Sequence, residues 1–159
     1  MSTITPCLWF DGNAEEAANF YTSLFPKSRI DAIHRSPSDT PSGKAGDVIT
    51  VEFTLMGRPF VGLNGGSIFK FNEAISLQIP VDTQAEADRL ANALSAVPES
   101  EICGWVKDRY GLSWQILPRQ LSELLYGKDT VRAKRAFDAL MKMKRIDFAA
   151  LERAAEGSA

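Results

Sequence analysis

A strand ending in aspartate, a capped helix start and an alanine-rich helix occur twice in this chain. That repetition narrows the possible folds more than any other feature. The first copy is Phe10-Asp11-Gly12-Asn13-Ala14-Glu15-Glu16-Ala17, and the second is Val81-Asp82-Thr83-Gln84-Ala85-Glu86-Ala87. In each, an Asn or Thr precedes a glutamate by three residues, the spacing of a capping box. The copies start ~70 residues apart, and strands follow each helix, as in a duplicated unit. The order predicts two βαβββ units, at about 4–66 and 75–118, and an α+β fold.

Ile4 to Phe10 is a short apolar strand. The first helix runs from Asn13 to about Phe25, with Ala14, Ala17, Ala18, Tyr21, Leu24 and Phe25 on one stripe, and Pro26 stops it. Ser28 to Arg35 is a second strand. Ser36 to Gly46, rich in Ser, Pro, Gly and Asp, is expected to be a mobile loop. Asp47 to Met56 and Pro59 to Leu63 form a hairpin around Gly57-Arg58, ended by Asn64-Gly65-Gly66. In the second unit, Ile75 to Val81 is a strand and the helix runs to about Val97. The strand expected next, within Pro98 to Ile102, is poorly marked.

The second unit closes on a hairpin. Cys103 to Lys107 and Ser113 to Leu117 are strands around a turn at Asp108 to Gly111, and Pro118 ends the pairing. Alternation puts Ser113, Gln115 and Leu117 on one face and Trp114 and Ile116 on the other. The residues 119–156 then read as a helical extension: a short helix to Tyr126, a second from Thr130 to Lys144 capped by Asp129, and a third capped by Asp147. Val131, Ala136, Phe137, Leu140 and Met141 are the expected core stripe of the second, and Gly157-Ser158-Ala159 the frayed end. The basic residues here, from Lys128 to Arg145, read as a solvated helix face.

The 159 residues fit one domain, or two small modules sharing a core. A net charge of -2 gives no electrostatic reason to bind nucleic acid or an anionic membrane. No apolar run approaches the ~20 residues that span a bilayer. The start, Met-Ser-Thr-Ile-Thr-Pro, lacks the basic and apolar segments of a secretory signal, so the cytoplasm is the expected compartment. The two cysteines, Cys7 and Cys103, are expected to be reduced, and could bridge only if their strands meet.

The repeated order resembles the vicinal oxygen chelate superfamily of glyoxalase I, bleomycin-resistance proteins and extradiol dioxygenases. Leu8-Trp9-Phe10-Asp11-Gly12-Asn13-Ala14-Glu15-Glu16-Ala17 with Phe20-Tyr21, then Ala74-Ile75-Ser76-Leu77-Gln78, then Cys103-Gly104-Trp105 to Gln115-Ile116-Leu117-Pro118, is similar to the PhnB-like branch. That branch is often described as 3-demethylubiquinone-9 3-methyltransferase. The resemblance spans residue 4 to about 152. It implies two units whose sheets curl around a shared cleft, and a homodimer, sometimes with exchanged segments.

The resemblance also places the metal ligands of related enzymes, and here the residues differ. The last-strand pattern, Asp-x-x-Gly and then Glu four residues on, falls on Asp108, Gly111 and Gln115. Thr5 or Pro6 stands at the first-strand histidine position, Ser76 at its counterpart in the second unit, and Gly62 to Asn64 around the fourth. None is a good transition-metal ligand. The single histidine, His34, lies on the second strand. No metal and no cofactor are therefore expected. The methyltransferase description also lacks a local counterpart, since Gly65-Gly66 follows a strand without opening a helix as an AdoMet-binding turn would.

If Pro6, Leu8, Phe10 and Leu77, Ile79, Val81 face the core, then Cys7, Trp9, Ser76 and Gln78 face the cleft. With Gln115, Trp105 and Asn64 they form the candidate ligand-binding lining, aromatics with a few amides that suit a small neutral or aromatic organic molecule. The competing reading makes Trp9, Trp105 and Trp114 core or dimer-interface residues. Glu52 and Lys107 change sides with a one-residue slip. A metal-free binding protein is the first functional expectation. The alternatives are an enzyme of the same superfamily (lyase, isomerase, dioxygenase or methyltransferase) and a structural dimer with a vestigial cleft.

Overall fold

A computed structural model describes residues 4–158. The expectations for residues 1–3, at the start, and for Ala159, in the expected frayed end, lie outside them. The chain divides into two compact units, the first ending at Phe71 and the second starting at Asn72.

The first unit has the predicted order. It comprises β1 (Cys7–Phe10), α1 (Ala14–Leu24), β2 (Arg29–Arg35), β3 (Val48–Leu55) and β4 (Arg58–Asn64). The sheet order is β1-β4-β3-β2, with β1 parallel to β4 and the other pairs antiparallel. The first and last strands of the unit are thus neighbours. Alternation sends Leu8, Phe10, Val51, Phe53 and Phe60 inward, against Ala14, Ala17, Ala18 and Tyr21 of α1. The small alanines let the helix lie close to the sheet, and Tyr21, Phe53 and Phe60 fill the layer with ring centroids 6.4 and 5.5 Å apart.

Two local expectations fail in this unit. Asn13 makes no side-chain cap to α1. The cap comes from Asn64, on the last strand, whose Oδ1 accepts from the Ala14 N–H at 2.9 Å. The segment Ser36 to Gly46 is a built turn: Thr40 N–H donates to the Gly43 carbonyl at 2.9 Å, and the Asp39 and Asp47 carboxylates accept from the N–H groups of Ala45 and Lys44. Its Asp residues are there to hold backbone donors, which composition alone reads as mobility.

The second unit contains β5 (Ser76–Val81), α2 (Gln84–Leu94), a 3-10 turn (Pro98–Ser100), β6 (Trp105–Lys107) and β7 (Ser113–Pro118). Its sheet order is β5-β7-β6, again with first and last strands parallel. The capping box is half realised, since Thr83 Oγ1 accepts from Glu86 N–H at 3.2 Å. The poorly marked strand is absent: the 3-10 turn and a single bridge between Ile102 and Trp105 replace it. Pro80 is tolerated because β5 is an edge strand.

The extension forms α3 (Leu121–Tyr126), α4 (Thr130–Leu140) and α5 (Phe148–Glu156). Its own core is Leu124, Ala136, Leu140, Ile146, Leu151 and Ala155. Two expectations are corrected here. The second helix stops at Leu140: the N–H groups of Lys142 and Met143 turn back to the carbonyls of Ala139 and Leu140, and further on the carbonyls of Met143 and Lys144 accept from the N–H groups of Cys103 and Gly104, both at 2.8 Å. The predicted stripe is only partly inside, with Val131, Phe137 and Met141 exposed. Gly157 and Ser158, expected to fray, cap α5 by donating to the carbonyls of Ala154 and Arg153.

An ion pair fixes the same junction. Glu101, only 9% exposed, receives two bonds from the Arg145 guanidinium, at 3.0 and 2.9 Å, and one from Ser95 Oγ at 2.6 Å. The Arg145 hydrogen bonds, with help from Ser95, hold its carboxyl below the usual carboxylate range. A depressed folded pKa contributes stability that is complete above the unfolded value, about 4.3, and vanishes as pH falls through the folded value. Glu101→Gln is therefore expected to melt below the wild type at pH 7, with the gap closing once the pH drops under about 4. Thermal melts across that range check this, and a gap constant with pH would refute it.

Candidate functional site

The seven residues singled out from the sequence fall into two groups, one per unit. In the first unit, Cys7 and Trp9 occupy the face of β1 opposite the α1 core. Cys7 is exposed and Trp9 half-buried. The Trp9 indole N–H donates to the Gly66 carbonyl at 2.7 Å, and its ring meets Phe69 edge-to-face at 5.0 Å. Asn64 is engaged on both sides of its amide, accepting from Ala14 and donating to the Val48 carbonyl at 2.9 Å. A polar cavity of about 250 Å³ opens beside it, lined among others by Glu15, Ser36, Lys44 and Asp47. His34 pairs with Glu52 on the sheet at 3.0 Å, and both side chains are half exposed.

In the second unit, Ser76, Gln78, Trp105 and Gln115 come together. Gln78 and Trp105 flank Gln115 as cross-strand partners, so all three share one face of the sheet. Gln115 Nε2 donates to Ser76 Oγ at 2.7 Å, and Gln78 Nε2 donates to Gln115 Oε1 at 3.3 Å. Each amide can donate twice, so Gln78 Oε1 and the second amide protons remain available for further hydrogen bonds. The opposite face packs on α2 through Ile79, Val81, Trp114 and Ile116. Beyond the edge of the row, Lys107 is bound to Glu73, whose carboxyl the lysine holds below its ordinary pKa.

The turn behind this row depends on Asp108, which is 1% exposed. Its Oδ1 accepts from the N–H groups of Tyr110 and Leu112, at 2.9 and 3.0 Å, and its Oδ2 from the Trp114 indole at 2.8 Å. The Asp-x-x-Gly part of the family pattern thus has a structural role here. It locks the hairpin so that Gln115, next to the buried Trp114, must point the other way.

The amide row borders a cavity of about 320 Å³ that continues along Pro80 and Leu117 to Leu121, Leu125, Phe137 and Leu140 of the extension. Leu117 was legible as a neighbour of Gln115 by alternation. The helical residues were missed, because amphipathic spacing says that a face is apolar without saying what it covers. Arg119, also at the rim, is paired with Asp82.

The donor set decides what the row can hold. It has one hydroxyl and two neutral amides, with no imidazole or carboxylate, and so does not fit the divalent metal of related enzymes. Among the described residues, no three His, Cys, Asp or Glu side chains lie close enough together to hold a metal ion. Cys7 and Cys103 are free thiols, and partial desolvation by their neighbours pushes the pKa of each up, away from the reactive thiolate. Also among the described residues, no helix is long and apolar enough to cross a membrane.

Comparison with known proteins fits this anatomy. The family model for 3-demethylubiquinone-9 3-methyltransferase matches residues 2–117. A PhnB protein from Bacillus cereus, described as a candidate 3-demethylubiquinone-9 3-methyltransferase, is 39% identical over 74% of this chain and 99% of its own, with a TM-score of 0.62. Protein PA1353 from Pseudomonas aeruginosa shares the fold at 21% identity and a TM-score of 0.56, covering 74% of this chain and 98% of its own. No curated protein matches the chain. With the family match covering most of its length, this chain belongs to the PhnB-like, 3-demethylubiquinone-9 3-methyltransferase family.

Proposed function

We propose that the protein binds a small neutral or aromatic organic molecule on the open face of its second sheet, without the metal set of related enzymes. The observation that carries this reading is the hydrogen-bonded chain Gln78–Gln115–Ser76, whose two amide residues border a cavity with an apolar wall. A neutral amide row can match a carbonyl, hydroxyl or amide of a ligand, and an apolar wall can cover its body. The reading treats the whole chain as one functional domain, and takes Cys7, Trp9 and Asn64 of the first unit as further candidate ligand-binding residues. It also takes the protein as a cytoplasmic homodimer that binds neither nucleic acid nor membrane. Light scattering on the purified protein tests the dimer.

A second reading is an enzyme of the same superfamily, and the description of the Bacillus cereus relative favours methyl transfer among its possible reactions. One experiment separates the two. Melting temperature is measured with a panel of neutral aromatic compounds, with AdoMet, and with zinc or nickel in place of chelator. The expected result is stabilisation by members of the panel, unchanged by chelator, and weakened about three- to tenfold in affinity by Gln115→Ala, the value of one hydrogen bond. Stabilisation that requires a metal, or that AdoMet alone produces, overturns the proposal.

A further inference from the structure

The cavity beside Gln115 has a direction. Gln78 and Gln115 form one cross-strand row, and Pro80 and Leu117 the next row on the same face, about 7 Å further along the strands. The first row is polar and uncharged, and the second is apolar. The cavity continues from the second row onto α3 and α4, where Leu121, Leu125 and Phe137 line it. Its charged side chain, Arg119, is already neutralised by Asp82 through bonds of 2.5 and 3.0 Å. The cavity is polar at one end and mostly apolar at the other, where Ser122 and Tyr126 add hydroxyls, and its one charged side chain is already paired.

The far wall lies outside the stretch that the family model matches. The family match ends at residue 117, four residues before α3 begins at Leu121. The Bacillus cereus protein is used up to 99% by 74% of this chain, leaving it almost nothing to align with the rest. The wall is nevertheless firmly placed. The helices share a buried core, and the segment after α4 is bonded to Cys103, Gly104 and Glu101. Phe137 is set apart from that core: it lines the cavity and remains 46% exposed, although it lies on a helix whose Ala136 and Leu140 are buried.

We infer that α3 and α4 are part of the binding site and that the ligand is an uncharged amphiphile. Its hydrogen-bonding head meets the Gln78–Gln115 row, and its apolar or aromatic body lies between Leu117 and the side chains of Leu121, Leu125 and Phe137. This inference rests on the proposed placement of the binding site on the second sheet. The family-wide part of the sheet recognises the head, and the extension selects the body.

The test uses the full-length protein and a fluorescent neutral probe, N-phenyl-1-naphthylamine, displaced by linear primary amides from butanamide to octanamide. In the wild type, each added methylene should tighten binding by about fourfold until the wall is reached, since each buries one more CH₂. Gln115→Ala should weaken every member by a similar factor and leave the chain-length dependence intact. Phe137→Asp and Leu121→Trp should do the reverse, flattening the dependence on length while sparing butanamide. Phe137 is exposed enough for its variant to fold, and Leu121→Trp provides a second, independent perturbation. Binding that Gln115→Ala weakens, with a chain-length dependence untouched in both wall variants, overturns the role of the extension but keeps the binding site. Absence of displacement in every form of the protein, or no effect of Gln115→Ala, overturns the site and this inference together.

Discussion

Trp114→Ala should lower the unfolding free energy by about 3–5 kcal/mol, the usual cost of emptying a large buried site, whereas Gln115→Ala, one residue along, should cost about 1 kcal/mol. The contrast comes from alternation: Trp114 is 2% exposed and Gln115 faces the cavity. Part of the tryptophan's contribution passes through Asp108, whose buried Oδ2 accepts the indole proton. Asp108→Ala would leave three donors without an acceptor, two of them backbone N–H groups, at roughly 1–3 kcal/mol each. The effects of the two substitutions should not add, because the residues share a bond. Urea melts of the single variants and the double variant check this. Equal, large losses for Trp114→Ala and Gln115→Ala would show that the faces are reversed.

Gly104→Ala should be nearly as damaging, by about 2–5 kcal/mol. Gly104 has φ +83°, and a Cβ there would stand 2.7 Å from the Ile116 carbonyl oxygen and 2.9 Å from Ile146 Cδ1. The left-handed backbone costs a non-glycine residue roughly 1–2 kcal/mol, and overpacking adds roughly 1–3 kcal/mol. Ile116 belongs to a strand whose N–H donates to the Gly104 carbonyl at 2.9 Å, so the backbone cannot easily retreat. Gly12 provides the control, with a similar φ of +84° and nothing within 4 Å of its Cβ position. Gly12→Ala should show the conformational part alone, about 1–2 kcal/mol. If the two glycine variants melt together, the close approach at Gly104 contributes nothing.

How much of this was legible in the sequence depends on the range of the interaction that decides each feature. The closing hairpin was legible because its turn, its alternation and its terminal Pro118 are all local. The orientation of Gln115 followed from it. The Thr83 cap was legible for the same reason. The α1 cap was not, because the oxygen that satisfies Ala14 belongs to Asn64, a partner 50 residues away. The end of α4 was misplaced because Met141 to Lys144 carry no helix-stopping residue, and the partners that hold this segment aside, the N–H groups of Cys103 and Gly104, are distant in sequence. The missing strand of the second unit left its trace in Pro98 to Ile102, where Ile102 is the one β-favouring residue. The site was half legible: strand alternation named Gln78, Gln115 and Ser76, while the helical wall depends on packing between segments with no shared pattern.

The stitching of Gly104 and Glu101 to residues 143–145 also bears on synthesis at the ribosome. In the first unit every strand has its neighbour, and α1 its cap, once Phe71 has emerged, so that unit can close early. The second unit cannot do the same when β7 appears. The N–H groups of Cys103 and Gly104, and the carboxylate of Glu101 beyond its bond from Ser95, wait for partners that lie between Met143 and Arg145. Until they arrive, the apolar second row of the cavity, with Pro80 and Leu117, has no helix beside it. A nascent chain halted near residue 118 would therefore expose the greasy half of its cavity, and it is there that a chaperone would be expected to bind.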